Sequence, residues 1–339
     1  MDPAKKRRFG RVDLDVTLMG YGAAPIGNIF RPVAEEEAAA MIHAAWNAGV
    51  RYFDTAPMYG HGLSEARLGA GLRWYPRHEY VVSSKVGRLL AAAPRKEIEF
   101  APWVDGLPFR MRFDYSYDGA MRSIEDSLQR LGLEHIDIAF IHDCDVFTHG
   151  PQHQPGRFRE AMDGAWRALD RLRSEGVLKA IGVGVNEWQV CLEALRQRDF
   201  DCFLLAGRYT LLEQEALDEF LPLCEERGAA VVLGGGYNSG ILATGAVPGA
   251  KYNYGPAPEP ILERTRRIEA VCARHGVPLK AVALQFVLAH PAIPTNIPGT
   301  RTVAQMEENL SVFRTEVPAA LWDELKREGL IRQDSPVPS

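Results

Sequence analysis

Four side chains that can carry or steer a proton follow three short apolar runs of the sequence. Asp54 and Tyr59 follow the first run, Lys85 ends the second, and His142 ends the third. Taken alone, each has a simpler explanation: a helix cap, a rim aromatic, a solvated strand end or a buried histidine. Together, an acid, a phenol, an ammonium and an imidazole suit hydride transfer at a carbonyl or an alcohol, with the phenol exchanging the proton.

The expected proton carrier, Tyr59, depends on its neighbours. A phenol has an ordinary pKa of about 10, and we expect the Lys85 cation to lower the pKa of Tyr59 by favouring the phenolate. Asp54 is expected to pair with Lys85, because an unpaired buried charge is costly. A neutral His142 is expected to donate to the substrate oxygen. The hydride must pass to or from a cofactor, because no side chain carries one.

The elements that position these residues alternate along the whole chain between apolar strand-length runs and amphipathic helical segments. The predicted strands are 16–20, 51–54, 80–85, 136–141, 178–184, 202–205, 230–233 and 293–297. The predicted helices are 34–48, 64–72, 118–131, 158–175, 187–197, 213–227, 260–275, 278–290 and 302–312. This pattern predicts the α/β class and a single (β/α)8 TIM barrel, a fold whose active sites lie at the carboxyl ends of the strands.

The predicted domain is one barrel over residues 1–339, with a core of about 16–312 and a C-terminal tail of 313–339. Long connections at 86–117, 143–157 and 234–259 follow strands 3, 4 and 7 and are expected to form substrate loops. A doubly wound sheet is the alternative, but neither 20–22 nor 182–184 continues as G-x-G-x-x-G. Any dinucleotide site is therefore expected on barrel loops.

Composition and charge exclude several other classes of protein. The 339 residues carry a net charge of -5, which indicates a soluble globular chain without the positive field that nucleic acid requires. No apolar run reaches the roughly 18 residues of a membrane span, so no membrane contact is expected. The five cysteines form no C-x-x-C pair, which favours reduced thiols and a cytoplasmic location. Gly150 and Pro151 separate His149 from His153 and indicate a loop, so no metal site is expected.

Several motifs around the four residues resemble those of the aldo-keto reductases. They are Phe53-Asp54-Thr55-Ala56-Pro57-Met58-Tyr59-Gly60, Ser64-Glu65, Leu68-Gly69, Lys85, Ile141-His142-Asp143, Ile297-Pro298-Gly299-Thr300 and Asn309. The resemblance extends over about residues 8–312. It implies the barrel fold, a nicotinamide cofactor extended over the rim, and a catalytic tetrad of Asp54, Tyr59, Lys85 and His142 with Tyr59 as the general acid–base.

The resemblance also implies cofactor contacts, some of which depart from the family pattern. The implied residues are Asn186, Gly234, Gly299, Thr300, Arg301, Gln305, Glu308 and Asn309. Gly234 stands where many members stack an aromatic ring on the nicotinamide. Gly299 and Gln305 stand where lysine and arginine often grip the 2′-phosphate of NADP. NAD is therefore the expected cofactor and NADP the alternative, which the nearby Arg301 keeps open.

A narrower resemblance concerns the reaction. Segments 205–212, 237–243, 252–254 and 283–286 are similar to a branch of the family that contains D-threo-aldose 1-dehydrogenases, L-fucose and L-galactose dehydrogenases and pyridoxal 4-dehydrogenase. We therefore expect NAD(P)-dependent oxidation of a free aldose at C1 to the lactone, a reaction of carbohydrate metabolism. The alternatives are a pyridoxal 4-dehydrogenase, an NADPH-dependent carbonyl reductase and, more remotely, a non-catalytic cofactor-binding regulatory subunit.

The substrate wall is less clearly marked in the sequence. Aromatic residues crowd the 86–117 connection, and their faces suit a sugar ring or a flat pyridine equally well. Trp103 is the predicted wall residue, and His61 and His149 are the predicted polar contacts. A small-molecule substrate is the expected partner, and the sequence leaves the oligomeric state open.

Overall fold

The computed structural model describes residues 1–338, and within them eight parallel strands form the central sheet. The strands are β1 Tyr21–Gly22, β2 Tyr52–Asp54, β3 Val81–Val86, β4 Ile138–His142, β5 Ala180–Val185, β6 Cys202–Ala206, β7 Ala230–Gly234 and β8 Thr295–Ile297. Each strand pairs with its neighbour in sequence. Parallel bridges from Met19 to Asn296 and from Gly22 to Gly299 join the two edges. The sheet therefore forms the predicted (β/α)8 barrel.

Helices cover the outside of the barrel, and most of the predicted helical segments are confirmed. The helices are α1 Glu35–Asn47, α2 Leu63–Leu72, α3 Tyr117–Leu131, α4 Val146–Glu160, α5 Trp166–Ser174, α6 Trp188–Gln197, α7 Phe220–Arg227, α8 Ile241–Thr244, α9 Glu259–Arg274, α10 Leu279–Phe286, α11 Val303–Arg314 and α12 Ala319–Arg327. The predicted 158–175 helix is divided between α4, a π-helical turn at Ala161–Ala165 and α5, and α7 is shorter than the predicted 213–227. Helix α12 packs in the segment expected to be a tail, and its Trp322 is buried. Within residues 1–338 no single helix is long and apolar enough to cross a bilayer, although the bent pair of α9 with Leu279–Ala289 meets that test by length and composition.

Alternate residues of each strand belong to two different apolar clusters. In β4, Ile138 and Phe140 join the cluster inside the barrel, whereas Ala139 and Ile141 join the cluster beneath the helices. Side chains along a strand alternate between the two faces of the sheet. His142 shares the register of Ile138 and Phe140, and it therefore points into the mouth of the barrel.

The predicted first strand is wrong. Residues Asp15–Thr17 pair antiparallel with Lys6–Arg8, and the first barrel strand begins only at Tyr21. This hairpin closes the amino-terminal end of the barrel, where Phe9 and Val16 join the interior cluster. The apolar pattern of the hairpin is the same as that of a barrel strand, because both pack against the same core.

The 143–157 connection is also different from the prediction of a loop. Helix α4 begins at Val146, and the Asp145 carboxylate accepts a hydrogen bond from the Thr148 amide at 3.0 Å. The helix is kinked at Gly150, which has φ of +69°. Pro151 is tolerated because it follows the kink, in a first turn whose amides need no helical partner.

The other two connections contain short strands of their own. After β3, Arg88–Ala92 pairs antiparallel with Phe109–Phe113. After β7, Lys251–Tyr252 pairs with Gly255–Pro256. Both hairpins lie beyond the carboxyl ends of barrel strands, where they can wall a site.

Close contact between α2 and α3 generates a stability prediction. A Cβ on Gly69 would lie 1.7 Å from the Leu131 carbonyl oxygen, which is backbone and cannot turn aside. We expect Gly69→Ala to lower the free energy of unfolding by about 1–3 kcal/mol or more, measured by urea denaturation. Gly156→Ala is the matched control, because nothing lies within 4 Å of its added Cβ. Equal stability of the two variants would contradict the packing argument.

Candidate active site

The carboxyl ends of β2, β3 and β4 carry polar side chains on the face that looks into the barrel. Asp54 lies two residues after Tyr52, and Lys85 lies four residues after Val81, so both share the register of an interior residue. His142 holds the equivalent place on β4. Because the strands are parallel, their ends meet at one rim. The structure brings these three predicted residues together there.

Lys85 and Asp54 form a buried ion pair between β3 and β2. The Lys85 ammonium donates to both carboxylate oxygens of Asp54, at 2.8 and 3.0 Å, and to the Thr55 carbonyl at 2.8 Å. The Ser83 hydroxyl donates to the same carboxylate at 2.7 Å. The two charged side chains are only 1% and 3% exposed. This arrangement agrees with the pairing expected from the cost of an isolated buried charge.

Tyr59 lies above this ion pair, on the connection that follows β2. The Lys85 ammonium is 4.8 Å from the centre of the Tyr59 ring, and the His142 ring meets it edge-on at 6.1 Å. Burial raises the pKa of Tyr59 well above its ordinary value, and the Asp54 and Asp143 carboxylates raise it further. This is the opposite of the lowering expected from Lys85. Asp54 offsets the ammonium charge at short range, so burial decides the direction.

His142 is held as a neutral imidazole. Burial lowers the pKa of His142 well below its ordinary value, and the Lys85 and Arg88 cations lower it further. Its Nδ1 has no hydrogen-bond partner in the described chain, and its Nε2 lies 3.4 Å from an Asp143 carboxylate oxygen. A neutral imidazole can donate from one nitrogen to a substrate oxygen.

Tyr59, Lys85 and His142 line a cavity of about 470 Å³ whose walls are mainly apolar and aromatic. The other lining residues are Ala24, Ile29, Phe30, Met58, Arg88, Pro102, Trp103, Asp143, Phe147, Thr148, Gly184, Val185, Asn186, Leu204, Ala206 and Tyr254. The volume suits a small molecule. A larger open groove between α4 and α6, of about 830 Å³, contains none of the four predicted residues.

A second cavity of about 350 Å³ adjoins the first and shares Tyr59, Phe30 and Tyr254 with it. It runs past Asp54 and along the glycines that end β7. Its other lining residues include Gly22, Pro25, Gly234, Gly235, Gly236, Tyr237, Asn238, Ser239, Gly240, Lys251, Ile297, Pro298, Gly299 and Arg301. The two cavities form a cleft that leads from the phenol to the loop after β8, which is the shape that an extended dinucleotide needs.

Four of the eight predicted cofactor residues line this cleft. Asn186 lines the first cavity, where its amide oxygen accepts a hydrogen bond from the Tyr254 hydroxyl at 3.1 Å. Gly234, Gly299 and Arg301 line the second. The Arg301 guanidinium donates to the Ile29 carbonyl at 3.2 Å and has no acidic partner in the described chain.

The remaining cofactor residues lie just before α11 or within it. Thr300 is buried, and the Gln305 side chain accepts from the Arg301 amide at 2.9 Å. Glu308 is exposed and paired with Lys280. Asn309 accepts from the hydroxyl of Tyr237, a lining residue, at 2.8 Å.

The three predicted substrate residues have different positions. Trp103 is buried in the cavity wall, with its ring 5.4 Å from that of Tyr59. His61 does not line the cavity and is bonded to the Phe109 carbonyl at 2.6 Å. His149 also lies behind the wall, 3.0 Å from the Tyr115 hydroxyl. Only Trp103 is in a position to contact a ligand in this cavity.

Several lining residues were not identified from the sequence. Arg88 and Asp143 form an ion pair of 2.6 Å in the cavity wall, and Phe147 and Tyr254 lie at its mouth with their rings 6.0 Å apart. Asp143 directly follows His142, which is the one signal that could have identified it. Residues 1–338 contain no group of three or more His, Cys, Asp or Glu side chains that could hold a metal ion.

Comparison with known proteins places these features in a family. The model of the Aldo/keto reductase family matches residues 18–328. The chain is 44% identical to a pyridoxal 4-dehydrogenase of Microbacterium luteolum, over 97% of this chain and 98% of that protein. It is 41% identical to a D-threo-aldose 1-dehydrogenase of a Pseudomonas species, over 94% of this chain and 95% of that protein. An L-galactose dehydrogenase of Arabidopsis thaliana is 29% identical, with coverage of 92% and 88%.

Solved structures agree on the fold. The holo form of the aldo-keto reductase AKR11C1 from Bacillus halodurans superposes with a TM-score of 0.73 at 23% identity, covering 97% of this chain and 96% of that one. The glycerol dehydrogenase AKR11B4 from Gluconobacter oxydans superposes with a TM-score of 0.74 at 22% identity, and 99% of both chains is covered. The chain belongs to the aldo/keto reductase family and is an NAD(P)-dependent oxidoreductase.

Proposed function

We propose that this protein oxidises the hemiacetal carbon of a small cyclic hemiacetal to a lactone, and that its substrate is pyridoxal in its hemiacetal form. The observation that carries the proposal is the small aromatic cavity onto which Tyr59, Lys85 and His142 open. Trp103 and Tyr254 offer flat apolar faces to a heteroaromatic ring. The 44% identity with a pyridoxal 4-dehydrogenase supports the same choice.

Each polar residue has a defined task in this reaction. Tyr59 takes the proton of the hemiacetal hydroxyl as the general base. Lys85, held by Asp54, places its ammonium 4.8 Å from the centre of the phenol ring, where its positive charge counteracts part of the rise in pKa that burial and Asp54 cause. Neutral His142 donates to the substrate oxygen and orients it. The bound nicotinamide cofactor supplies the hydride acceptor, because no side chain can do so.

The residues along the adjoining cleft fit a dinucleotide. Gly234, Gly235 and Gly236 allow close approach to the backbone, and Gly235 has a left-handed φ of +62°. Asn186 would hold the nicotinamide amide. Among the residues proposed to face the adenine end, Gly299 and Gln305 carry no charge and Glu308 is acidic. This favours NAD over NADP, whose 2′-phosphate requires cations. Arg301 lines the cleft and has no acidic partner in the described chain, so it is the cation that NADP would use, and NADP is the alternative cofactor.

An aldose is the second candidate substrate. Arg88 and Asp143 offer polar groups to the cavity, and hydroxyl groups of a pyranose can use them. The 41% identity with a D-threo-aldose 1-dehydrogenase supports this candidate. Both substrates react at a hemiacetal carbon, so the roles of Tyr59, Lys85 and His142 are the same for either.

A substrate panel tests the proposed function. We expect reduction of NAD at 340 nm with pyridoxal, weaker or no reduction with L-fucose, D-arabinose, L-galactose and L-glucose, and loss of about 10²–10⁴-fold in kcat for Tyr59→Phe. Tyr75→Phe, whose hydroxyl contacts His43 outside the cavity, is the matched control. Turnover of a sugar in preference to pyridoxal would establish the second candidate. Failure on the whole panel would overturn the proposed function.

The pH dependence of oxidation follows from the raised pKa of Tyr59. The general base must lose its proton to act, and burial raises the pKa of Tyr59. We therefore expect kcat/KM, measured with saturating NAD, to rise with pH along an alkaline limb. Tyr59→Phe should remove this limb from the residual activity. A profile that falls from pH 7 upward in an enzyme that remains folded would contradict Tyr59 as the base.

Cofactor preference is tested by adding a cation to α11. We expect Gln305→Arg to raise the ratio of kcat/KM for NADP to that for NAD by about tenfold, equivalent to about 1.4 kcal/mol. Gln129→Arg adds the same charge to the exposed side of α3 and should leave the ratio unchanged. A wild-type preference for NADP would contradict NAD as the proposed cofactor. An unchanged ratio for Gln305→Arg would contradict the proposal that the ribose lies beside Gln305.

A further inference from the structure

A buried ion pair that the catalytic scheme does not use faces the same cavity as Tyr59. The Arg88 guanidinium donates from Nη2 to an Asp143 carboxylate oxygen at 2.6 Å, and the two side chains are 10% and 9% exposed. Both residues line the cavity beside His142. The pair lies 55 residues apart in sequence and is brought together by the ends of β3 and β4.

The backbone on both sides is shaped to place this pair. Gly87 has φ of +102°, and a Cβ there would lie 2.3 Å from the Tyr115 ring, so the chain turns sharply before Arg88. The guanidinium then lies 4.4 Å from the centre of the Phe113 ring. Asp143 has a left-handed φ of +52°, and its amide donates to the Gly184 carbonyl at 2.9 Å. A non-glycine residue in this conformation is uncommon and marks a position held by its surroundings.

The hydrogen-bonding capacity of the pair is largely unused within residues 1–338. A guanidinium has five N–H donors, yet Arg88 makes a single hydrogen bond, and its buried Nε has no partner. The other Asp143 carboxylate oxygen accepts no hydrogen bond from the described residues. A buried pair that served only the fold would be expected to satisfy these groups, because unpaired buried donors are costly. The surplus indicates a polar group of a ligand.

The position of the pair relative to the reacting groups limits which polar group of a substrate can reach it. The Asp143 carboxylate is 3.4 Å from His142 Nε2, so the pair lies one contact beyond the imidazole assigned to the reacting oxygen. A substrate whose hemiacetal oxygen meets Tyr59 and His142 would direct its next oxygen substituent toward Arg88. In pyridoxal this is the ring hydroxyl, and in an aldose it is the C2 hydroxyl.

We propose that Arg88, held in place by Asp143, binds the oxygen substituent nearest to the hemiacetal carbon, and that the pair thereby determines which substrates are oxidised. This inference rests on the proposed function. Arg88 donates to that oxygen, and Asp143 fixes the guanidinium and accepts a hydrogen bond when the oxygen carries a proton. The pair is therefore a specificity-determining pair, distinct from the groups that transfer the proton.

The two substrate classes make different demands on Asp143. The ring hydroxyl of pyridoxal is acidic, and its ionised oxygen can only accept, so Arg88 binds it while the Asp143 charge repels it. The C2 hydroxyl of an aldose is neutral and can donate to Asp143 while it accepts from Arg88. Asp143→Asn should therefore preserve or raise kcat/KM for pyridoxal and lower it for an aldose.

The experiment compares each substrate with its analogue that lacks the oxygen. We would measure kcat/KM for pyridoxal and 3-deoxypyridoxal, and for L-fucose and 2-deoxy-L-fucose, with wild-type enzyme, Arg88→Gln, Arg88→Lys and Asp143→Asn. For the substrate class that the wild type oxidises, Arg88→Gln should lower kcat/KM about 10- to 100-fold. For the deoxy analogue of that substrate, the same substitution should lower kcat/KM by less than about threefold. The kcat/KM of Arg88→Lys should lie between those of the wild type and Arg88→Gln, because lysine keeps the charge but not the planar guanidinium.

The controls separate recognition from folding. Arg112→Gln removes an exposed arginine from the partner strand of the same hairpin. It should leave unchanged the ratio of kcat/KM for each substrate to kcat/KM for its deoxy analogue. Thermal melting identifies any variant that fails to fold, in which case Arg88→Lys and Asp143→Asn carry the test. Equal losses on a substrate and its deoxy analogue would overturn the inference and leave the proposed function intact. Inactivity of the wild type on all four compounds would overturn both.

Discussion

The buried ion pair between Lys85 and Asp54 is the constraint on which the site depends. It ties β3 to β2 and places a cation beneath the Tyr59 ring at 4.8 Å. Removing one partner of such a pair typically costs about 3–5 kcal/mol, because the other charge is left buried and uncompensated. The Ser83 hydroxyl and the Thr55 carbonyl satisfy the remaining groups, so the ammonium has no freedom to leave.

Each buried charge at the rim of the barrel has a partner of opposite charge or is neutralised. Lys85 is paired with Asp54, Arg88 is paired with Asp143, and His142 is held neutral by burial and by the two cations. Because both cations are offset by carboxylates, burial controls the protonation of Tyr59 and raises its pKa. Burial therefore makes ionisation of the phenol harder at this rim than it is in water.

The large side chains of the cavity wall lie mainly on the connections, whereas the barrel strands form its floor. The barrel strands supply Lys85 and His142, whereas Arg88, Trp103, Phe147 and Tyr254 lie on the segments that follow β3, β4 and β7. In this fold the strand ends usually supply the reacting groups, and the loops that follow them vary and form the walls of the site.

The sequence by itself determined the barrel, the ends of β2, β3 and β4, and the meeting of Lys85 with His142. These features depend on strand periodicity and on the order of elements, both of which are local. Tertiary structure decided the rest. The first barrel strand is Tyr21–Gly22 and not the predicted 16–20, because a hairpin with the same apolar pattern closes the barrel. Tertiary structure also paired Arg88 with Asp143 and raised the pKa of Tyr59. Contacts between distant segments and exclusion from water are properties of the folded chain, and no local pattern encodes them.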